Sequence, residues 1–142
     1  MIGLDCNVLV QLAIADHPAN ARTLAAVESK MLQGTKLVFP SLVATEFPHV
    51  VTDERRFAPP LTMPEALDWI EDFLANPGVN MLEPTQASME QTILWMRQFN
   101  LGRKRILDTH LAAILYTNGV RLLLTSNPAD FSVFGVLETI TP

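Results

Sequence analysis

Short apolar runs recur along this chain, each separated from the next by one or more helix-length segments, and that alternation leaves few folds open. Ile2-Gly3-Leu4, Lys36–Phe39, Val79–Leu82, Val120–Leu124 and Val136–Ile140 read as strands. Val8–Ala15, Pro18–Gln33, Leu42–Val51, a stretch entered at Pro64, Pro84–Phe99 and Arg105–Thr117 read as helices. Strands that are joined through helices pair in parallel, because the chain must cross back before it can pair again. The expectation is a three-layer α/β/α sandwich with a mainly parallel central sheet, formed by residues 1–142 as one domain. Active groups in such sheets gather at the carboxyl ends of the strands.

Local signals refine this outline. Gly34 and Gly119 stop the second and last long helices, Ser41 is the expected N-cap of the third, and Pro48 should kink or shorten that helix. Thr52–Met63, with Pro59-Pro60, reads as a loop. Leu67, Ile70 and Leu74 form the expected buried stripe of the helix after Pro64, opposite Glu65, Asp68 and Asp72. Met89, Ile93, Met96 and Trp95 are read as core.

Composition narrows the function classes. The lone Cys6 excludes an internal disulfide and a cysteine-based zinc site, which suits a reducing cytoplasm. Neither a signal peptide nor a membrane span is indicated. A formal net charge of −5 argues against binding nucleic acid by bulk electrostatics. The positive charge is nevertheless clustered, at Arg55-Arg56 and at Arg97, Arg103, Lys104 and Arg105; each cluster is either a solvated surface or part of a phosphate-binding stripe.

Three acids stand beside apolar faces. Asp5 closes the first strand, Glu46 shares a helix face with Leu42, Val43 and Val50, and Asp108 shares one with Leu111, Ala112 and Leu115. Each has an ordinary explanation by itself. Asp5 can cap the first helix, unless Asn7 does so; Glu46 can edge an amphipathic face; Asp108 can stabilise a helix N-terminus. Three such acids on separate elements are harder to explain independently, because desolvating a carboxylate costs several kcal/mol and a shared divalent cation offsets that cost. A carboxylate-held Mg²⁺ or Mn²⁺ supports phosphodiester hydrolysis without a Ser, Cys or His nucleophile. His17, His49 and His110 show no ligand or triad spacing, with His110 kept in view for its closeness to Asp108.

In this order and spacing, Leu4–Val10, Ser41–Glu46, Leu107–Ala113 and Leu124–Phe131 resemble the motifs of PIN domains, and the whole length resembles a VapC-like toxin. The resemblance implies a Mg²⁺- or Mn²⁺-dependent endoribonuclease of cytoplasmic RNA, a homodimer, and a small antitoxin protein as partner. It implies Asp5, Glu46 and Asp108 as metal-site acids, with Asn7, Thr125 and Ser126 as polar supports. The fourth family acid falls at Asn127, a neutral oxygen donor, and Asp130 three residues later is the other candidate. Arg97, Arg103, Lys104 and Arg105 are the candidate contacts to the nucleic-acid backbone. Two other readings stay open: a PIN-like RNA- or protein-binding module with weak or lost catalysis, and a haloacid-dehalogenase-like phosphatase. The phosphatase wants a second acid where this chain has Asn7.

Overall fold

In a computed structural model covering residues 1–142, five strands form one sheet: β1 (Ile2–Leu4), β2 (Leu37–Pro40), β3 (Val79–Leu82), β4 (Leu122–Leu124) and β5 (Glu138–Ile140). Their spatial order is β3-β2-β1-β4-β5, and every pairing is parallel. The expected mainly parallel sandwich is therefore wholly parallel. Seven helices flank the sheet: α1 (Cys6–Ala13), α2 (Asn20–Leu32), α3 (Ser41–Val51), α4 (Met63–Leu74), α5 (Gln86–Gln98), α6 (Ile106–Thr117) and the short α7 (Ala129–Ser132). A 3₁₀ turn, Arg103–Arg105, leads into α6. No helix is long and apolar enough to cross a membrane.

The chain steps from β1 outward to β2 and β3, then returns to lay β4 on the other side of β1. The switch point between β1 and β4 opens a crevice at the carboxyl end of the sheet, and Leu4 pairs with Leu124 at its edge. Gly3 sets how α6 reaches that edge. A Cβ at Gly3 would stand 2.6 Å from Leu115 Cδ1, and Leu115 is fully buried, so α6 lies directly on β1 and carries Asp108 up to the crevice. Gly3→Ala is expected to cost about 1–3 kcal/mol through overpacking, read as a lowered urea midpoint with an unchanged slope.

Several local expectations need correction. α3 begins at Ser41 without any side-chain cap, Pro40 of β2 serving as N-cap residue, and the helix runs through Pro48 to Val51. On α4, Leu67 is exposed, whereas Ile70 is buried as expected, together with Ala66, and Phe73 and Trp69 stack at 5.0 Å. Trp95 is core, but Met89 and Ile93 are 48% and 46% exposed and line a surface groove between α5 and α6. The helical period was legible there, but the same spacing fits a face against another helix and a face open to solvent. The short α7 is anchored by Phe131, 1% exposed.

Candidate metal centre

Asp5 stands immediately after β1 and is the N-cap of α1, its Oδ1 accepting from Cys6 N at 2.7 Å. Its Oδ2 accepts from Asn7 Nδ2 and from Thr125 Oγ1, both at 2.7 Å. Three donors thus fix one carboxylate, and the capping role and the site role fall to the same side chain. Thr125 follows β4 and is itself fully buried; its hydroxyl oxygen also accepts from Asn127 N at 3.0 Å. Ser126 N donates to Asn7 Oδ1 at 3.1 Å, and Ser126 Oγ accepts from Gln11 Nε2 at 2.6 Å. Thr23 Oγ1 in turn donates to Gln11 Oε1 at 2.7 Å. These bonds stitch the ends of β1 and β4 to α1 and α2, so a single polar network sets the direction of Asp5.

Glu46 comes from the middle of α3 and Asp108 from the first turn of α6, and both are half-buried. Together with Asp5, Asn127 and Asp130 they line one open cleft of about 420 Å³. Burial raises the pKa of all three sequence-identified acids. For Asp5, burial outweighs the hydrogen bonds from Thr125, Cys6 and Asn7. For Glu46, burial is reinforced by the charge of Asp5. Asp108 is pushed up to about 6, by burial first and then by Asp130 and Asp5. Asp130 is thereby an electrostatic member of the group, whereas Asn127 brings a neutral oxygen to its exposed rim.

The donor set is entirely oxygen and excessively negative, as a hard divalent cation requires. No three of these side chains close into a cage that would hold an ion through protein atoms alone. Mg²⁺ does not need one, because it keeps several waters and takes few direct carboxylates. The all-oxygen, acidic lining is thus chemically compatible with such an ion.

The basic cluster does not act as a unit. Lys104 lines the cleft, Arg103 is exposed, and Arg97 lies beside the apolar groove on the other side of Leu107. Arg105 turns inward, its Nε 3.6 Å from Asp108 Oδ2. Arg56 joins the cleft from the other side, loosely paired to Asp53 at 3.6 Å. Spacing did not reveal Arg56 as a cleft residue, because the loop that carries it has no period; Gln11 was missed because it reads as an ordinary helix position. Cys6 and His17 also line the cleft, and His110 faces the groove instead, where its Nδ1 lies 2.9 Å from Thr92 Oγ1.

A family model for the PIN domain matches residues 2–136. No curated protein matches the chain. Among solved structures, the fold is similar to VapC20 of Mycobacterium tuberculosis, described as a toxin cleaving the sarcin-ricin loop: TM-score 0.74, 15% identity, covering 97% of this chain and 98% of that one. It is similar to a chain of VapBC-1 from nontypeable Haemophilus influenzae, with TM-score 0.69, 18% identity and coverage of 99% and 98%. A chain of the DNA-bound VapBC2 complex from Rickettsia felis gives TM-score 0.68, 15% identity and coverage of 99% and 98%.

Proposed function

This chain belongs to the PIN domain family, and from that premise we propose that it is a Mg²⁺- or Mn²⁺-dependent endoribonuclease, the toxin of a toxin–antitoxin pair. The observation that carries the reading is the convergence of Asp5, Glu46, Asp108 and Asp130 on one cleft at the switch point of the sheet, three of them with raised pKa values. The likeness in fold to a toxin described as cleaving the sarcin-ricin loop supports RNA as substrate, and likeness to chains of toxin–antitoxin complexes supports a small antitoxin as partner. A homodimer and a cytoplasmic site of action belong to the same reading.

When bound, the ion neutralises charge that builds on the phosphate oxygens and makes a water more acidic. The protein's part is positioning. Asp5, immobilised by three donors, is the fixed acceptor of the site. Glu46 and Asp108, which have no comparable set of donors, would orient a water for in-line attack, and one of the two would accept its proton. Asp130 supplies the charge that Asn127 does not, and Thr125 and Asn7 keep Asp5 from rotating away. No histidine takes part in these steps.

Arg56 and Lys104 flank the acids and are the proposed contacts to the RNA backbone, in preference to Arg97, Arg103 and Arg105. Changing both Arg56 and Lys104 to Gln is expected to reduce the slope of log affinity against log salt by about 1.4 for a single-stranded RNA, while the Arg97→Gln, Arg103→Gln pair leaves it unchanged. The function itself is tested by incubating purified protein with RNA in Mn²⁺, in Mg²⁺ and in EDTA. Cleavage confined to the metal-containing reactions supports the enzyme. RNA binding with no metal-dependent turnover would instead favour a PIN-like binding module, the reading that Asn127 and the net charge of −5 keep open.

A further inference from the structure

Lys104 and Arg56 line the cleft, but Arg105 is the basic side chain that lies within 4 Å of its acids, and its contacts are those of a loosely seated counter-ion. Its Nη1 lies 3.9 Å from Asp130 Oδ1 and its Nε 3.6 Å from Asp108 Oδ2. Both distances exceed the 2.7–2.9 Å of a charge-assisted hydrogen bond, and neither carboxylate is held in a bidentate fork. The close bond is from Nη2 to the main-chain carbonyl of Asp130. Nε is buried with no hydrogen-bond partner, so its N–H is desolvated without return. A guanidinium optimised as a structural clamp would satisfy that N–H. This one is held by the field of two acids that have no closer cation.

The geometry points to Arg105 as an internal stand-in for the divalent ion: it neutralises Asp108 and Asp130 in the metal-free protein and releases them when the ion binds. The inference rests on the metal-site reading above and adds to it a competition within the chain. Arg105 ends the 3₁₀ turn immediately before α6, and its side chain is 28% exposed, so the guanidinium can swing outward without moving the backbone. Exchange would then trade two long ion pairs and one hydrogen bond for an ion whose charge neutralises both carboxylates. Arg105 is on this account a positioning residue. It lowers the affinity for the ion and keeps the empty site from repelling itself apart.

The test is calorimetric titration of EDTA-stripped protein with Mn²⁺, comparing wild type, Arg105→Gln and Arg121→Gln, with thermal unfolding measured with and without Mn²⁺. Removing the competitor should tighten Mn²⁺ binding about three- to tenfold, the worth of two partly exposed ion pairs. Arg105→Gln should lower Tm in the metal-free protein and lower it less, or not at all, at saturating Mn²⁺. Arg121 lies over the Tyr116 ring and lines neither the cleft nor the groove, so Arg121→Gln should bind as wild type does and exclude a bulk-charge effect. If Arg105→Gln does not fold, Arg105→Lys replaces it, because a single ammonium cannot bridge both carboxylates and should give a smaller gain of the same sign. Affinity that is unchanged or weaker in the folded variant overturns the inference alone. Absence of Mn²⁺ binding by wild type and variants alike overturns the metal-site reading and the inference with it.

Discussion

Asp108→Asn is expected to slow metal-dependent RNA cleavage by more than about a hundredfold while leaving the metal-free protein at pH 7.5 as stable as wild type or more so. Loss of a residue that merely orients a metal ligand costs about 10–100-fold, so loss of a ligand itself costs more. The stability half of the prediction comes from the same physics with the opposite sign. Asp108 is half-buried and its pKa is pushed up to about 6, first by burial and then by Asp130 and Asp5, so its charge is disfavoured in the folded protein. Asn keeps the size and removes the charge. What is given up is a 3.6 Å contact with Arg105, partly exposed and correspondingly weak. A variant that loses activity without losing stability separates a functional acid from one that caps a helix; loss of stability together with unimpaired cleavage would return Asp108 to the structural role.

The second large effect is a reversal of the pH dependence of stability by the ion. Asp5, Glu46 and Asp108 all titrate above their ordinary values in the folded chain. A raised carboxyl pKa means that the native state binds more protons than the unfolded state, so its contribution is fully present below the unfolded value near 4. It is lost as pH rises through the folded value, about 6 for Asp108. From these groups the metal-free protein should be more stable at pH 5 than at pH 7.5. His110, its pKa lowered by burial, opposes them as pH falls. The difference between wild type and Asp108→Asn isolates the carboxyl contribution from it. Mn²⁺ needs ionised ligands, so its stabilisation grows as pH rises: about 4 kcal/mol when its concentration is a thousand times Kd. The metal-loaded protein should then be the more stable at pH 7.5. Denaturant midpoints at the two pH values, with Mn²⁺ and with EDTA, read both halves; parallel shifts in the two series would contradict the shared site.

The parts of this fold that were legible in the sequence are those whose period or composition has one physical cause. Val79–Leu82 reads as a strand because a short, mostly apolar stretch follows the turn residues Asn76-Pro77-Gly78, and the structure has β3 over those residues. Asp5 and Thr125 each follow a strand read from the sequence, parallel strands deliver their carboxyl ends to one edge, and a 2.7 Å hydrogen bond joins the two residues. Amphipathic spacing located Asp108 beside Leu111, Ala112 and Leu115, all buried. It failed for Met89 and Ile93, since the period identifies an apolar face but not what covers it. Asp130 was left open against Asn127 because a four-residue helix, α7, gives no period to read; its position depends on Phe131 entering the core. Arg105 looked like its basic neighbours in sequence, and only the fold turns it toward Asp108 and Asp130.

The central claim is that this cleft is built for a divalent cation, and the most direct measurement is Mn²⁺ titration of the wild-type protein by calorimetry near pH 6, in two buffers of different ionisation enthalpy. The account predicts saturable binding accompanied by proton release, because Asp108 is partly protonated there without the ion and must ionise to hold it. Binding with no proton release, or no binding at all, would contradict it.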